Sequence, residues 1–228
     1  MIRNLVFFSL LWTSLMLSIL LFIPVGLIYL LAGSVAARNF AGRCTHIWGK
    51  FVVFISGVRL ILEGKENLSD TPPVVILSNH QSYMDIPIFM SIYPFPLSFT
   101  AKKELMKVPL INLWIRLLGC DLIDRKRPRS VFRKVREDLG QGSSSTRLFF
   151  PEGTRSRGPE TGTINRGFMR MVTAAEVPVQ PVRIEGSYRL YEEKGRIFPG
   201  EVIVSLFPVS HQYPENELEK MLSGEKKD

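Results

Sequence analysis

An imidazole and a carboxylate, His80 and Asp85, lie five residues apart in the polar run Ser78-Asn79-His80-Gln81-Ser82-Tyr83-Met84-Asp85. A histidine with one ring nitrogen held by a carboxylate offers the other as a general base. In a regular helix five positions turn about 140°, which points the two side chains apart. They meet only if the chain bends first and a helix opens near Asp85, with Pro87 in its first turn. The rival reading is that so common a pair is incidental.

Roughly 70 residues further on comes Phe149-Phe150-Pro151-Glu152-Gly153-Thr154-Arg155-Ser156-Arg157. Pro and Gly here make a tight turn, which by itself has no need of the Glu, Thr, Ser and two Arg around it. Backbone amides at such a turn, together with guanidinium groups, form a receptor for phosphate. A third segment, Gly119 to Arg125, places another Arg after a short apolar strand.

These segments need elements to hold them. Val58–Leu62, Val74–Leu77, Leu97–Thr100, Arg147–Phe150, Val179–Ile184 and Val202–Phe207 read as short buried strands. Between them, Ser130–Leu139 carries a helical stripe, opened by Pro128 and closed by Gly140. Leu105–Leu118 is apolar almost all round, with Pro109 expected to bend it. It reads either as a buried helix or as one in a lipid headgroup layer, with Lys102, Lys103, Lys107 and Arg116 reaching phosphates. Strands alternating with helices predict an α/β domain with a largely parallel sheet flanked by helices. Polar clusters at the ends of apolar strands are where such sheets place their sites.

The front of the chain is different in kind. No charge falls between Arg3 and Arg38, a gap of 34 residues. A helix of roughly 20 apolar residues crosses a bilayer, whereas signal peptides have shorter cores of about 7–15. The segment is therefore expected to be an uncleaved anchor, either one kinked span or a hairpin interrupted at Pro24-Val25-Gly26. Four of the five basic residues that precede Glu63 follow the apolar segment, which puts the globular part on the cytoplasmic face of a membrane, expected to be a bacterial inner membrane. The expected layout is an anchor at 1–40, a catalytic domain at 41–213 and a fraying polar tail at 214–228.

The net charge is +8, and eleven Lys or Arg fall between Lys102 and Arg136. On a chain with an apolar anchor, such a basic face suits an anionic bilayer or phosphorylated substrates rather than nucleic acid, for which no motif is present. Cys44 and Cys120 have no metal-type partner spacing and read as free thiols. No Ser or Cys lies in a nucleophile-elbow pattern.

Asn79-His80-xxxx-Asp85, Gly119-xxxxx-Arg125, Phe150-Pro151-Glu152-Gly153-Thr154-Arg155-Ser156 and Val177-Pro178-Val179-Gln180-Pro181-Val182 resemble, in order, the four motifs of the glycerolipid acyltransferases. The likeness covers roughly residues 45 to 212 and is nearest to the branch acting on 1-acylglycerol-3-phosphate. It implies that His80 takes the proton of the acceptor hydroxyl and that Asp85 orients and charge-stabilises His80. It also implies that Arg125 and Arg155 bind the acceptor phosphate, in a pocket shaped by Glu152, Gly153 and Thr154. The donor would be acyl-CoA or acyl-carrier protein, with no metal, no other cofactor and no acyl-enzyme; the partners would be membrane lipid and a lysophospholipid acceptor. Asp121 and Leu122 depart from the second motif, and Arg166 stands where a Lys is usual. Both departures lie on the acceptor side, so another lysophospholipid or a lyso-aminolipid stays open as acceptor. A non-catalytic lipid binder is the remaining alternative, although it would have no need of the His80–Asp85 pair.

Overall fold

The computed structural model describes residues 2–68, 75–123, 146–175 and 177–224. Among the described residues there are seven strands: β1 (Val58–Glu63), β2 (Val75–Ser78), β3 (Leu97–Lys102), β4 (Asp121–Ile123), β5 (Thr146–Phe149), β6 (Val179–Glu185) and β7 (Gly200–Leu206). They form one sheet in the order β1-β7-β6-β2-β5-β3-β4. β6, β2, β5, β3 and β4 run parallel, while β1 and β7 run parallel to each other and against the rest, so β6–β7 is the antiparallel contact. The expected α/β class and largely parallel sheet are what is observed.

Both faces of the sheet are covered, which explains why its strands are apolar runs rather than alternating ones. Along β2, Ile76 faces one core, with Phe89, Leu148 and Val204. Val75 and Leu77 face another, with Phe168, Met169 and Val172 of α5 (Arg166–Thr173). Leu218 and Leu222 of α6 (Glu215–Ser223) are fully buried in this second core. The expected fraying from Pro214 onward is therefore corrected: two leucines four residues apart give the acidic segment an apolar stripe, and it docks.

Leu105–Leu118 is not one bent helix. A 3-10 turn over Lys103–Lys107 is followed by a break, and α4 covers only Ile111–Leu117. Pro109 accepts a bond from the amide of Ile111 (2.8 Å) across Leu110, whose φ is 66°. That is a γ-turn, a strained link that apolar periodicity does not reveal. α4 lies against the N-terminal segment: the Trp114 indole donates to Ser18 (2.9 Å) and packs on Phe22. The helix expected over Ser130–Leu139 lies outside the described residues.

The N-terminal segment is long and apolar enough to cross a membrane. It comprises α1 (Ile2–Leu17), a 3-10 turn (Ser18–Leu21) and α2 (Phe22–Ser56), and α2 is broken at Gly33, where φ is 84°. Arg3 donates to the carbonyl of Ser56, and the Trp48 indole donates to Ser14 (3.1 Å). These pairings run antiparallel, so the segment is a helical hairpin. Pro24, expected to interrupt it, sits harmlessly in the first turn of α2. Ile2, Leu5, Leu30, Leu31 and Phe54 are each at least 70% exposed, a burden in water that a hydrocarbon layer removes.

The hairpin also belongs to the fold. Phe7 and Val52 enter the first core, and α2 lies along α3 (Asp85–Ile92). A Cβ on Gly49 would stand 2.7 Å from the amide nitrogen of Ser91 and 2.8 Å from the carbonyl oxygen of Pro87, and one on Gly42 would overlap Pro96. Gly49→Ala is accordingly expected to cost about 1–3 kcal/mol and to lower Tm by roughly 3–10 °C. Gly26→Ala, where nothing lies within 4 Å, should not lower it, because Ala is the better helix former. Thermal unfolding of the two variants in one detergent checks this; equal Tm values would mean that α2 does not pack on α3 this closely.

Candidate active site

Three neighbouring parallel strands, β6, β2 and β5, deliver their C-terminal ends to one edge of the sheet. Asn79 and His80 leave β2, Phe150 and the turn after it leave β5, and Gly186 and Ser187 leave β6. Asn79 fastens the first exit to the third: its amide donates to the carbonyl of Ile184 (2.9 Å), and its oxygen accepts from the Ile184 amide (2.8 Å).

The bend that the sequence required is present. The chain turns between Ser82 and Asp85, and α3 begins at Asp85. His80 Nδ1 lies 2.7 Å from Asp85 Oδ2, and the carboxylate is fully buried. Oδ2 also accepts from the amides of Gln81 (2.7 Å) and Ser82 (2.9 Å), and Oδ1 accepts from the hydroxyl of Ser187 (2.5 Å). An ionised carboxylate only accepts, so Nδ1 carries the ring proton and Nε2 keeps its lone pair. Nε2 has no hydrogen-bond partner among the described residues, and the side chain is 17% exposed. The imidazole lies flat on Phe150, 3.9 Å between centroids and 15° between planes.

The second segment clasps the first. Glu152 Oε1 accepts from the backbone amide of His80 (2.6 Å), and Oε2 accepts from the amide of Gly162 (2.6 Å). The amide of Ser156 donates to the carbonyl of His80 (2.8 Å). Burial pushes the Glu152 carboxyl above its ordinary range, partly offset by those two amides. Gly153 (φ 68°) and Thr154 stand exposed at the tip. No atom lies within 4 Å of a Cβ built on Gly153, so conformation rather than crowding calls for glycine there.

Arg155 holds an unexpected position. Its Nη1 donates to Glu192 Oε1 (3.1 Å), with side chains only 9% and 4% exposed, and its guanidinium lies 3.4 Å over the Tyr83 ring. Arg155 is thus on the His80 side of the site, but with a partner already in hand. Arg125, two residues beyond β4, lies outside the described residues. Asp121, one of the departures from the motif pattern, is buried in an ion pair with Arg147. Burial also pushes the Cys120 thiol up to about 12, which disfavours the thiolate form.

Ser187 and Glu192 escaped the sequence reading. They meet their partners across 102 and 110 positions of chain, and neither stands in a motif. No local pattern in the sequence marks either of them.

A family model described as Acyltransferase matches residues 59–185. The chain is 32% identical over 161 residues to the 1-acyl-sn-glycerol-3-phosphate acyltransferase alpha of Mus musculus, covering 68% of this chain and 56% of that protein. It is 30% identical over 173 residues to the 1-acyl-sn-glycerol-3-phosphate acyltransferase of Pseudomonas aeruginosa, covering 72% of this chain and 65% of that one. The chain thus spans between half and two-thirds of the length of these curated relatives. Among solved structures, the 1-acyl-sn-glycerophosphate (LPA) acyltransferase of Thermotoga maritima superposes with a TM-score of 0.80 at 27% identity, covering 98% of this chain and 94% of that one. With more than half of its length matched by the family model and the same fold throughout, the chain belongs to the acyltransferase family.

Proposed function

We propose that the protein transfers a fatty acyl group from acyl-CoA or acyl-carrier protein to the free hydroxyl of 1-acylglycerol-3-phosphate, giving phosphatidic acid. The observation that carries this reading is the His80–Asp85 contact, with Nε2 open to the site and Arg155 close by. His80 Nε2 takes the proton of the acceptor hydroxyl as its oxygen attacks the thioester carbonyl. Asp85 holds the imidazolium that results. When the tetrahedral intermediate collapses, the C–S bond breaks and the imidazolium returns its proton to the departing thiolate. Glu152 fixes the backbone of the base, Gly153 and Thr154 form the rim, and Arg155 and Arg125 bind the acceptor phosphate.

Replacing Arg155 by Ala would take the cation from the buried Glu192 carboxylate and from the Tyr83 ring as well as from the phosphate, so Lys is the cleaner probe. It keeps the charge and loses the planar fork. Arg155→Lys is expected to raise the acceptor KM about tenfold, the weight of a weakened charge-assisted bond, with the KM for acyl-CoA changed less than twofold. Steady-state kinetics with each substrate varied in turn decides this; a donor-selective defect would remove the phosphate role.

The apolar hairpin supports action at a membrane, and the charge rule favours its cytoplasmic face. The full-length protein is expected to stay with membranes through a high-salt wash, since burial of apolar surface is not screened by ions. Release by salt alone would mean electrostatic attachment only.

A further inference from the structure

Glu192 lies just beyond the 3-10 turn Ser187–Leu190, outside all four motif segments, and its carboxylate touches both sides of the site. Oε2 accepts from the hydroxyl of Ser82 (2.6 Å), and Oε1 accepts from the amide of Tyr83 (2.7 Å) and from Arg155 (3.1 Å). Ser82 and Tyr83 belong to the loop that carries His80. One carboxylate therefore bridges the base loop and the guanidinium, and Tyr83 closes the triangle by lying under Arg155.

We propose that Glu192 is a positioning residue that sets the distance between Arg155 and His80, so that the phosphate and the free hydroxyl of one small acceptor are presented together. This rests on the acceptor-phosphate reading of Arg155. A glycerol skeleton fixes how far its hydroxyl lies from its phosphate, so the enzyme must fix the matching distance between base and guanidinium. Arg155 alone cannot do so, because a long side chain holding a phosphate is free to follow it. Glu192 removes that freedom with three bonds to two segments, and its own low exposure keeps water from competing.

The charge distinguishes this role from a simple contribution to binding. In Glu192→Gln the carbonyl still accepts from Tyr83, and the amide still reaches the Ser82 hydroxyl, so the loop keeps its partners. What is lost is the ionic hold on Arg155. The guanidinium then meets the phosphate with more net positive charge around it and less constraint on where they settle. Binding should not weaken, whereas alignment of the hydroxyl with Nε2 should.

The test compares wild type, Glu192→Gln and Glu192→Asp as full-length protein, each with 1-acylglycerol-3-phosphate and with its phosphate-free counterpart, a 1-acylglycerol, assayed by single turnover at high enzyme concentration. The Asp variant keeps the charge but draws the carboxylate back by one methylene, and it gives a second readout should the Gln variant fold poorly. With the phosphorylated acceptor, both variants are expected to lose roughly 10- to 100-fold in kcat, the scale of misplacing reactants by about 1 Å, with no rise in acceptor KM. With the 1-acylglycerol, the loss in Glu192→Gln should be several-fold smaller, because Arg155 then has nothing to align and the Ser82 and Tyr83 partners are kept. Equal losses with both acceptors would overturn the proposal and reduce Glu192 to a brace of the base loop. A lower acceptor KM at unchanged kcat would overturn it differently, making Glu192 a counter-ion that phosphate displaces. The Arg155→Lys kinetics separate the two layers. If that variant raises the acceptor KM while the Glu192 variants are silent, the positioning role fails alone; if it leaves the acceptor KM unchanged, the phosphate reading has failed as well.

Discussion

His80→Ala is expected to lower kcat by roughly 10²–10⁴-fold, the usual contribution of a positioned general base, while the protein stays folded. The second half of this expectation comes from the geometry around Asp85. Removing the imidazole takes away one of the donors to that carboxylate, and the amides of Gln81 and Ser82 and the hydroxyl of Ser187 remain. The buried charge is not left bare, so the large penalty for an uncompensated ion does not arise. The Phe150 ring loses its stacking partner, a contact at the partly open side of the site. Turnover with purified protein, together with Tm, measures both halves. Retention of more than about a tenth of wild-type kcat would reject His80 as the base, and a collapsed Tm would mean that the imidazole holds the loop as well.

Asp85→Asn should cost roughly 10²–10³-fold in kcat, through charge rather than geometry. Two backbone amides aim at Oδ2 and can only donate, so the asparagine oxygen must take that place and its amide group must face Ser187. The oxygen at Oδ2 still accepts from His80 Nδ1, which preserves the productive tautomer. What disappears is the negative charge opposite the imidazolium as the hydroxyl proton transfers. Asp85→Ala should lose a similar amount of kcat and also lower Tm, because the Gln81 and Ser82 amides are then buried without an acceptor. Comparing the two variants separates the contributions. Near wild-type kcat in Asp85→Asn would make Asp85 a scaffold for the loop and no part of proton transfer.

The contact between His80 and Asp85 was legible because local chemistry specified it. An apolar run ends in a polar cluster, and Pro87 favours a helix that opens at Asp85, which is the bend needed to bring the pair together. The Pro-Glu-Gly turn was legible for the same reason, with Gly153 in the left-handed conformation. Ser187 and Glu192 were not, because each acts through a contact about a hundred residues away in sequence, set by β6 lying beside β2. Local patterns carry no information of that kind. Leu105–Leu118 misled for another reason: residues apolar on every side satisfy a helix and a broken pair of turns equally, and only the backbone of Leu110 tells them apart. In the C-terminal helix, Leu218 and Leu222 were outweighed by the acids around them, although two buried leucines are enough to dock a short helix.

The glycines of α2 make the anchor hard to exchange. Its backbone lies against α3, the helix that starts with Asp85, at distances no side chain would permit. A foreign membrane helix of equal length and hydropathy, spliced in ahead of β1, would restore attachment to lipid and still push α3 out of place. Shortening the chain to obtain a water-soluble enzyme would fail in the same way, since it strips one wall from the first core. In this protein, modularity stops at the hairpin: whatever replaces it has to bring glycine at both contact positions, one against α3 and one against Pro96 beyond its end.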